Sequence, residues 1–172
     1  ENYFNSFAKL YKENILPKTI LLSGQKGSGK STFAYHFTNY ILSLNDSNKY
    51  SFNSFTIETK NKNYQNLCNN TNSNFTLIES DNNQETIKIE NIRNTLNFLN
   101  KSTYSKNIKI VLIDNAEHLN LNSANALLKA LEESGNNTFF FIIHNNASKI
   151  LNTLKSRCVE FKIFFNFINK KK

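Results

Sequence analysis

Short apolar runs alternate along the chain with stretches whose apolar side chains recur every three or four positions. Phe4, Phe7, Leu10 and Tyr11 have helical spacing and predict an amphipathic helix that ends before Pro17. Thr19-Ile20-Leu21-Leu22, closing in Ser23-Gly24, reads as a buried strand. From Lys30, the positions Phe33, Phe37, Tyr40, Ile41 and Leu44 mark a helix of about four turns. Residues 45–74 are dominated by Asn, Ser, Lys and Tyr without a period, which predicts a long surface loop or insertion.

Order resumes with a strand at Phe75-Thr76-Leu77-Ile78-Glu79. Ile89, Ile92, Leu96 and Leu99 give a third helix, and Ile108 to Ile113 a strongly apolar strand ending at Asp114. Leu121, Ala124, Leu127, Leu128 and Leu131 form a further helix, stopped by Ser134-Gly135 with Gly135 as the expected residue just past its end. Thr138 to Ile143 is a buried strand, Ser148–Lys155 a short helix, and Val159 to Ile163 a last strand. Strands that read as continuous apolar runs and alternate with helices predict a parallel α/β sheet covered on both faces.

Composition changes this picture little. The length of 172 residues suits one domain. The 32 asparagines, and 19 lysines against two arginines, read as a codon-composition bias, because apolar periodicity persists through them. Net charge is +8, but Lys170, Lys171 and Lys172 supply three of the positives and no local basic cluster singles out nucleic acid. No apolar run is long enough to span a membrane, and no secretory signal opens the chain. Glu1 at the start and the absence of Met lead us to expect a piece of a longer protein. Cys68 and Cys158 lie far apart without partner spacing, so no zinc is expected, and unpaired cysteines suit a reducing, cytoplasmic setting.

Glycine placement carries more. The chain has four glycines, and Gly24, Gly27 and Gly29 fall within six residues of one another. Gly24-Gln25-Lys26-Gly27-Ser28-Gly29-Lys30-Ser31 fits G-x4-G-K-S/T in full. Glycines permit positive φ and let successive backbone N–H groups curl around phosphate oxygens. The helix that starts near Lys30 adds its positive end. Lys30 is expected to reach the β- and γ-phosphates and Ser31 to ligate Mg²⁺. Ile110-Val111-Leu112-Ile113-Asp114 supplies the second half of such a site, with Asp114 holding Mg²⁺ through water. The next residue, Asn115, stands where hydrolytic relatives of this motif place a Glu; an amide orients water but takes no proton from it. Glu117, two residues further on, is not assigned that role. Binding is therefore favoured over efficient turnover.

Two more stretches carry a resemblance. Asn122-Ser123-Ala124-Asn125-Ala126-Leu127-Leu128-Lys129-Ala130-Leu131-Glu132-Glu133 is similar to the S/A-x-N-A-L-L-K-x-L-E-E signature of AAA+ clamp-loader modules. Ser156-Arg157-Cys158 resembles their S-R-C motif. With the phosphate loop these span nearly the whole chain in the family's order. The likeness is nearest to the delta-prime branch of the bacterial DNA polymerase III clamp loader. The Asp-Asn-Ala-Glu form and the lack of a four-cysteine segment favour that branch over gamma/tau.

The resemblance implies a P-loop NTPase three-layer sandwich with a five-stranded, mostly parallel sheet over residues 1–165. Residues 166–172 would begin the connection to a lid. It implies ATP and Mg²⁺ as ligands, Asn145 as a polar sensor near the γ-phosphate, and Arg157 as an arginine finger acting in trans on a neighbour's ATP. Cys158 is read as a packed small residue. Implied partners are other clamp-loader subunits (gamma/tau and delta), with the sliding clamp and primer-template DNA reached through the assembly, and no membrane. The alternatives are a gamma/tau-like motor that hydrolyses ATP itself and a P-loop small-molecule kinase.

Overall fold

A computed structural model describes residues 2–69, 71–80, 86–100 and 108–164. The expected connection at 166–172 lies outside the described residues. Helix α1 (Asn2–Lys12) precedes β1 (Thr19–Gly24), α2 (Lys30–Ser43) and α3 (Lys62–Cys68). They are followed by β2 (Phe75–Ile78), α4 (Ile89–Asn100), β3 (Lys109–Ile113) and α5 (Leu121–Glu133). Strand β4 (Thr138–Asn145), the single turn α6 (Asn152–Lys155) and β5 (Val159–Lys162) complete the described elements.

The sheet is parallel throughout, in the order β2-β3-β4-β1-β5. Its strands are apolar on both sides, and alternate residues serve opposite faces. Ile20, Leu22, Ile110, Leu112, Phe139 and Phe141 pack under α1, α2 and α3 with Phe7, Phe37 and Leu67. Leu21, Val111, Ile113, Phe140 and Ile142 pack under α4, α5 and α6 with Ile92, Leu127 and Leu154. This is the three-layer sandwich expected from the alternating strands and helices.

The segment 45–74 is not the structureless loop that its composition predicts. It holds α3, whose N-cap Asn61 accepts the Tyr64 N–H at 2.8 Å. The Asn61 amide donates to Asp46 Oδ2 at 3.2 Å and to the Asn48 carbonyl at 2.6 Å. Tyr50 stacks on Phe4 with ring centroids 5.2 Å apart, and Phe52 and Phe55 meet the same ring edge-on. Aromatic anchors and buried asparagines therefore fold it against α1 and α2. Neither device repeats along the chain, so a search for periodicity passes over both.

Smaller differences follow from local chemistry. Helix α5 ends where predicted, but its C-cap Ser134 is extended and Gly135 is not left-handed, so no glycine-type cap closes it. The turn α6 begins at Asn152 rather than Ser148, and in the loop before it the His144 imidazole engages the Ser148 carbonyl (Nε2 to O 3.0 Å). Among the described residues no helix is long and apolar enough to cross a membrane.

If 45–74 is a folded part of the domain, Asn61→Ala removes a cap and two partly buried hydrogen bonds. It should then lower stability by about 2 kcal/mol. The urea unfolding midpoint measures this, and an unchanged midpoint would mean that the segment contributes nothing.

Candidate nucleotide-binding site

Parallel strands end together, and the carboxyl ends of β1, β3 and β4 open onto one cleft of about 300 Å³. Lys26, Gly27, Ser28, Gly29, Lys30 and Ser31 line it from the first side, Asp114 and Asn115 from the second, and Ile143 and Asn145 from the third. Apart from Gly24 and Gln25, which close the loop through their backbone, and Arg157, every site residue expected from the sequence meets here.

Each glycine of the loop answers a different demand. Gly27 and Gly29 have φ of 76° and 73°, the left-handed region that glycine adopts without strain. Gly29 is also the N-cap of α2. Gly24 has no such φ. A side chain there would collide with the carbonyl oxygen of Ile163, whose N–H donates to the Ser23 carbonyl at 2.7 Å as β5 runs alongside β1. A Cβ at Gly27, by contrast, would meet no atom within 4 Å. The loop thus leaves an open concavity at the N-terminal end of a 14-residue helix, where unpaired N–H groups favour an anion.

Lys30 is 5% exposed. Its ammonium donates to the carbonyls of Gly24 at 3.1 Å and Gln25 at 2.7 Å, and to Ser28 Oγ at 3.4 Å. Burial pushes its pKa down, while the carboxylates of Glu117 and Asp114 pull it back up. A cation held against neutral carbonyls in this way gains by exchanging them for phosphate oxygens. Ser31 Oγ donates to Asp114 Oδ2 at 3.0 Å. A hydroxyl and a carboxylate in contact, bordering an anion-binding loop, form the hard oxygen set that suits Mg²⁺. The donor chemistry and the open glycine cradle fit a Mg–nucleotide.

Strand β4 runs two residues past its predicted end and places Asn145 opposite Gly24. Asn115 follows Asp114 with φ 55°, a left-handed turn that Asn tolerates better than most residues. That turn leads into a 3₁₀ helix at Ala116–His118 and carries Glu117 back to the cleft's border, where its Oε2 accepts the Asn145 backbone N–H at 3.1 Å. Glu117 is the residue the sequence reading left without a role; only the left-handed turn at Asn115 reveals its return.

Arg157 lies outside the cleft, just past α6. Its Nε and a terminal nitrogen reach Glu132 Oε1 at 2.9 and 2.8 Å, and its other terminal nitrogen donates to the Thr153 carbonyl at 3.1 Å. Both partners of this ion pair are about half exposed, so the pairing is weak and readily exchanged. Cys158 Sγ donates to the Leu154 carbonyl at 3.1 Å, and burial pushes its thiol up to about 12. It packs, partly buried, against the second core.

A family model described as "DNA polymerase III, delta subunit" matches residues 1–165. The chain is 31% identical over 140 residues to the DNA polymerase III subunit delta′ of Pseudomonas aeruginosa, covering 81% of this chain and 41% of that protein. It is 26% identical over 168 residues to the subunit delta′ of Buchnera aphidicola subsp. Schizaphis graminum, covering 93% and 47%. The fold resembles a DNA polymerase III gamma subunit-related protein of Thermotoga maritima (TM-score 0.64, 22% identity, covering 94% of this chain and 47% of that one). It also resembles the T. maritima RuvB Holliday junction branch migration motor (TM-score 0.52, 14% identity, covering 96% and 44%). The chain spans less than half the length of these proteins.

Desolvation holds the Cys158 thiol well above the usual thiol range, whereas Cys68 is exposed. Titration with a thiol-specific disulfide reagent should therefore show one fast-reacting cysteine per native chain, abolished by Cys68→Ser. Two fast thiols would contradict the raised pKa of the partly buried Cys158.

Proposed function

The chain belongs to the DNA polymerase III delta subunit family, and from that membership we propose that it is the nucleotide-binding part of a clamp-loader subunit. In this reading it binds Mg–ATP in the loop cleft and lends Arg157 to a neighbouring ATPase subunit. The convergence of Lys30, Ser31, Asp114 and Asn145 on one cleft carries the reading. The likeness to subunits named delta′ adds the replication setting.

The geometry of the cleft supports these roles. The Ser28 N–H closes the loop on the Gln25 carbonyl at 3.2 Å, and the other backbone N–H groups of the loop and the Lys30 ammonium would meet the phosphates. Ser31 and Asp114 would hold the Mg²⁺, which neutralises phosphate charge when bound. Asn145 offers a polar group from the far wall. The position directly after Asp114 carries no carboxylate, so turnover at this site is slow. The motor-like alternative requires a carboxylate that takes a proton from water, and Glu117 already has one oxygen committed to the Asn145 N–H. Family membership replaces the small-molecule kinase alternative.

Arg157 serves a different site. Its planar fork rests on an exposed Glu132 that a neighbour's γ-phosphate can replace, and its place outside the chain's own cleft suits action across an interface. Residues 166–172, in this reading, lead into the lid that completes the nucleotide pocket. Partners are the other clamp-loader subunits, and through them the sliding clamp and primer-template DNA.

Lys30→Ala should weaken Mg–ATP binding at least about a hundredfold in a calorimetric titration, since it removes the buried phosphate-facing cation. Binding unchanged by Lys30→Ala would contradict the loop's assignment. In the assembled loader, Arg157→Ala should lower DNA-dependent ATPase by about 10³-fold while nucleotide binding by this chain stays the same. Arg157→Lys should fail to restore the rate. A full rate in Arg157→Ala would remove the trans role.

A further inference from the structure

The two neighbours of β4 end at different heights. Its register with β3 stops at Ile113 opposite Ile142, because the chain turns away at Asp114 and Asn115. Its register with β1 continues to Gly24 opposite Asn145. Backbone N–H groups along β4 point alternately to the two sides. Phe140 and Asn146 donate toward β1, to Lys18 O at 2.7 Å and Gly24 O at 3.1 Å. Asn145, one residue earlier than Asn146, therefore points its N–H toward the side where β3 has already ended. A buried or half-buried N–H there needs an acceptor. The carboxylate of Glu117 is that acceptor, at 3.1 Å. A side chain from the loop after β3 thus continues the ladder that β3 itself abandons.

This bond fixes the backbone of a residue whose side chain faces the cleft. Asn145 Oδ1 accepts the Ala147 N–H at 3.3 Å, so the oxygen end of the amide is engaged and its Nδ2 remains as the donor that an anionic ligand would meet. The same Glu117 carboxylate acts on Lys30 through space. It also stands between the nucleotide cleft and a second cavity of about 670 Å³ that it lines together with His144 and Ser148.

We propose that Glu117 is a positioning residue: by accepting the Asn145 N–H it holds the Asn145 amide toward the phosphate end of the cleft, and so lets the site distinguish a nucleoside triphosphate from a diphosphate. The assignment rests on the nucleotide reading given above and adds a residue to it. The amide of Asn145 is the group that would contact the terminal phosphate; Glu117 touches no ligand and acts through Asn145.

The test compares Mg–ADP and a non-hydrolysable Mg–triphosphate, adenosine β,γ-imidotriphosphate, by calorimetric titration of the intact protein. Glu117→Ala should weaken the triphosphate about tenfold and ADP less than about twofold, the scale expected when one hydrogen bond to a charged acceptor is lost. Glu117→Gln, which keeps an acceptor oxygen, should retain the wild-type ratio. Glu117→Met, which keeps the side-chain length without an acceptor, is read like Glu117→Ala and serves if the alanine variant does not fold. Amide hydrogen exchange supplies a second readout: the Asn145 N–H should exchange at least about tenfold faster in Glu117→Ala while Ile142 keeps its protection. An unchanged triphosphate-to-diphosphate ratio in Glu117→Ala and Glu117→Met, or equal weakening of both ligands, overturns the assignment alone. A wild-type protein that binds neither nucleotide overturns the nucleotide reading and this assignment with it.

Discussion

Strand β1 is paired on both sides, with β4 and with β5, and this double pairing sets the geometry of everything around the cleft. It leaves no space for a side chain at Gly24, because the Ile163 carbonyl occupies the place where a Cβ would be. The strand must therefore end in glycine, and the chain must then turn sharply into α2. Parallel neighbours bring their own carboxyl ends to the same edge, so Asp114 and Asn145 arrive beside that turn without any long-range coincidence. At this edge the backbone ladders stop, and side chains add hydrogen bonds to the backbone groups beside it. Lys30 satisfies the carbonyls of Gly24 and Gln25, and Glu117 satisfies the N–H of Asn145.

In the proposed reading, the same edge separates holding a nucleotide from hydrolysing it. The cradle needs glycines at positive φ, a buried lysine and a hydroxyl–carboxylate pair, and all are present. Fast hydrolysis asks in addition for a carboxylate free to take a proton from water. The position after Asp114 carries Asn115 at φ 55°, so its residue type also answers a left-handed turn. That turn sends the next carboxylate along the chain, Glu117, to a backbone N–H.

Most of the fold was legible because its signals are periodic. The alternation of Ile20, Leu21 and Leu22 between the two cores, and the spacing of Phe33, Phe37 and Ile41, report burial directly. The phosphate loop and Asp114 were legible for another reason: their chemistry admits few residue types. Segment 45–74 was not legible. Its order rests on single anchors, Tyr50 against Phe4 and Asn61 at the start of α3, which leave no repeat to detect. Glu117 was hidden in the same way. Its spacing from Asp114 carries no meaning until the backbone at Asn115 is known to be left-handed. Arg157 could be assigned only by resemblance, since nothing within one chain shows a partner.

The central claim is that the cleft holds ATP and turns it over slowly. A titration of the intact protein with Mg–ATP, read for heat of binding and for phosphate release in the same sample, tests it most directly. The account predicts saturable binding near one nucleotide per chain with little phosphate released on the timescale of the titration. Absence of binding, or rapid phosphate release by the protein alone, would contradict it.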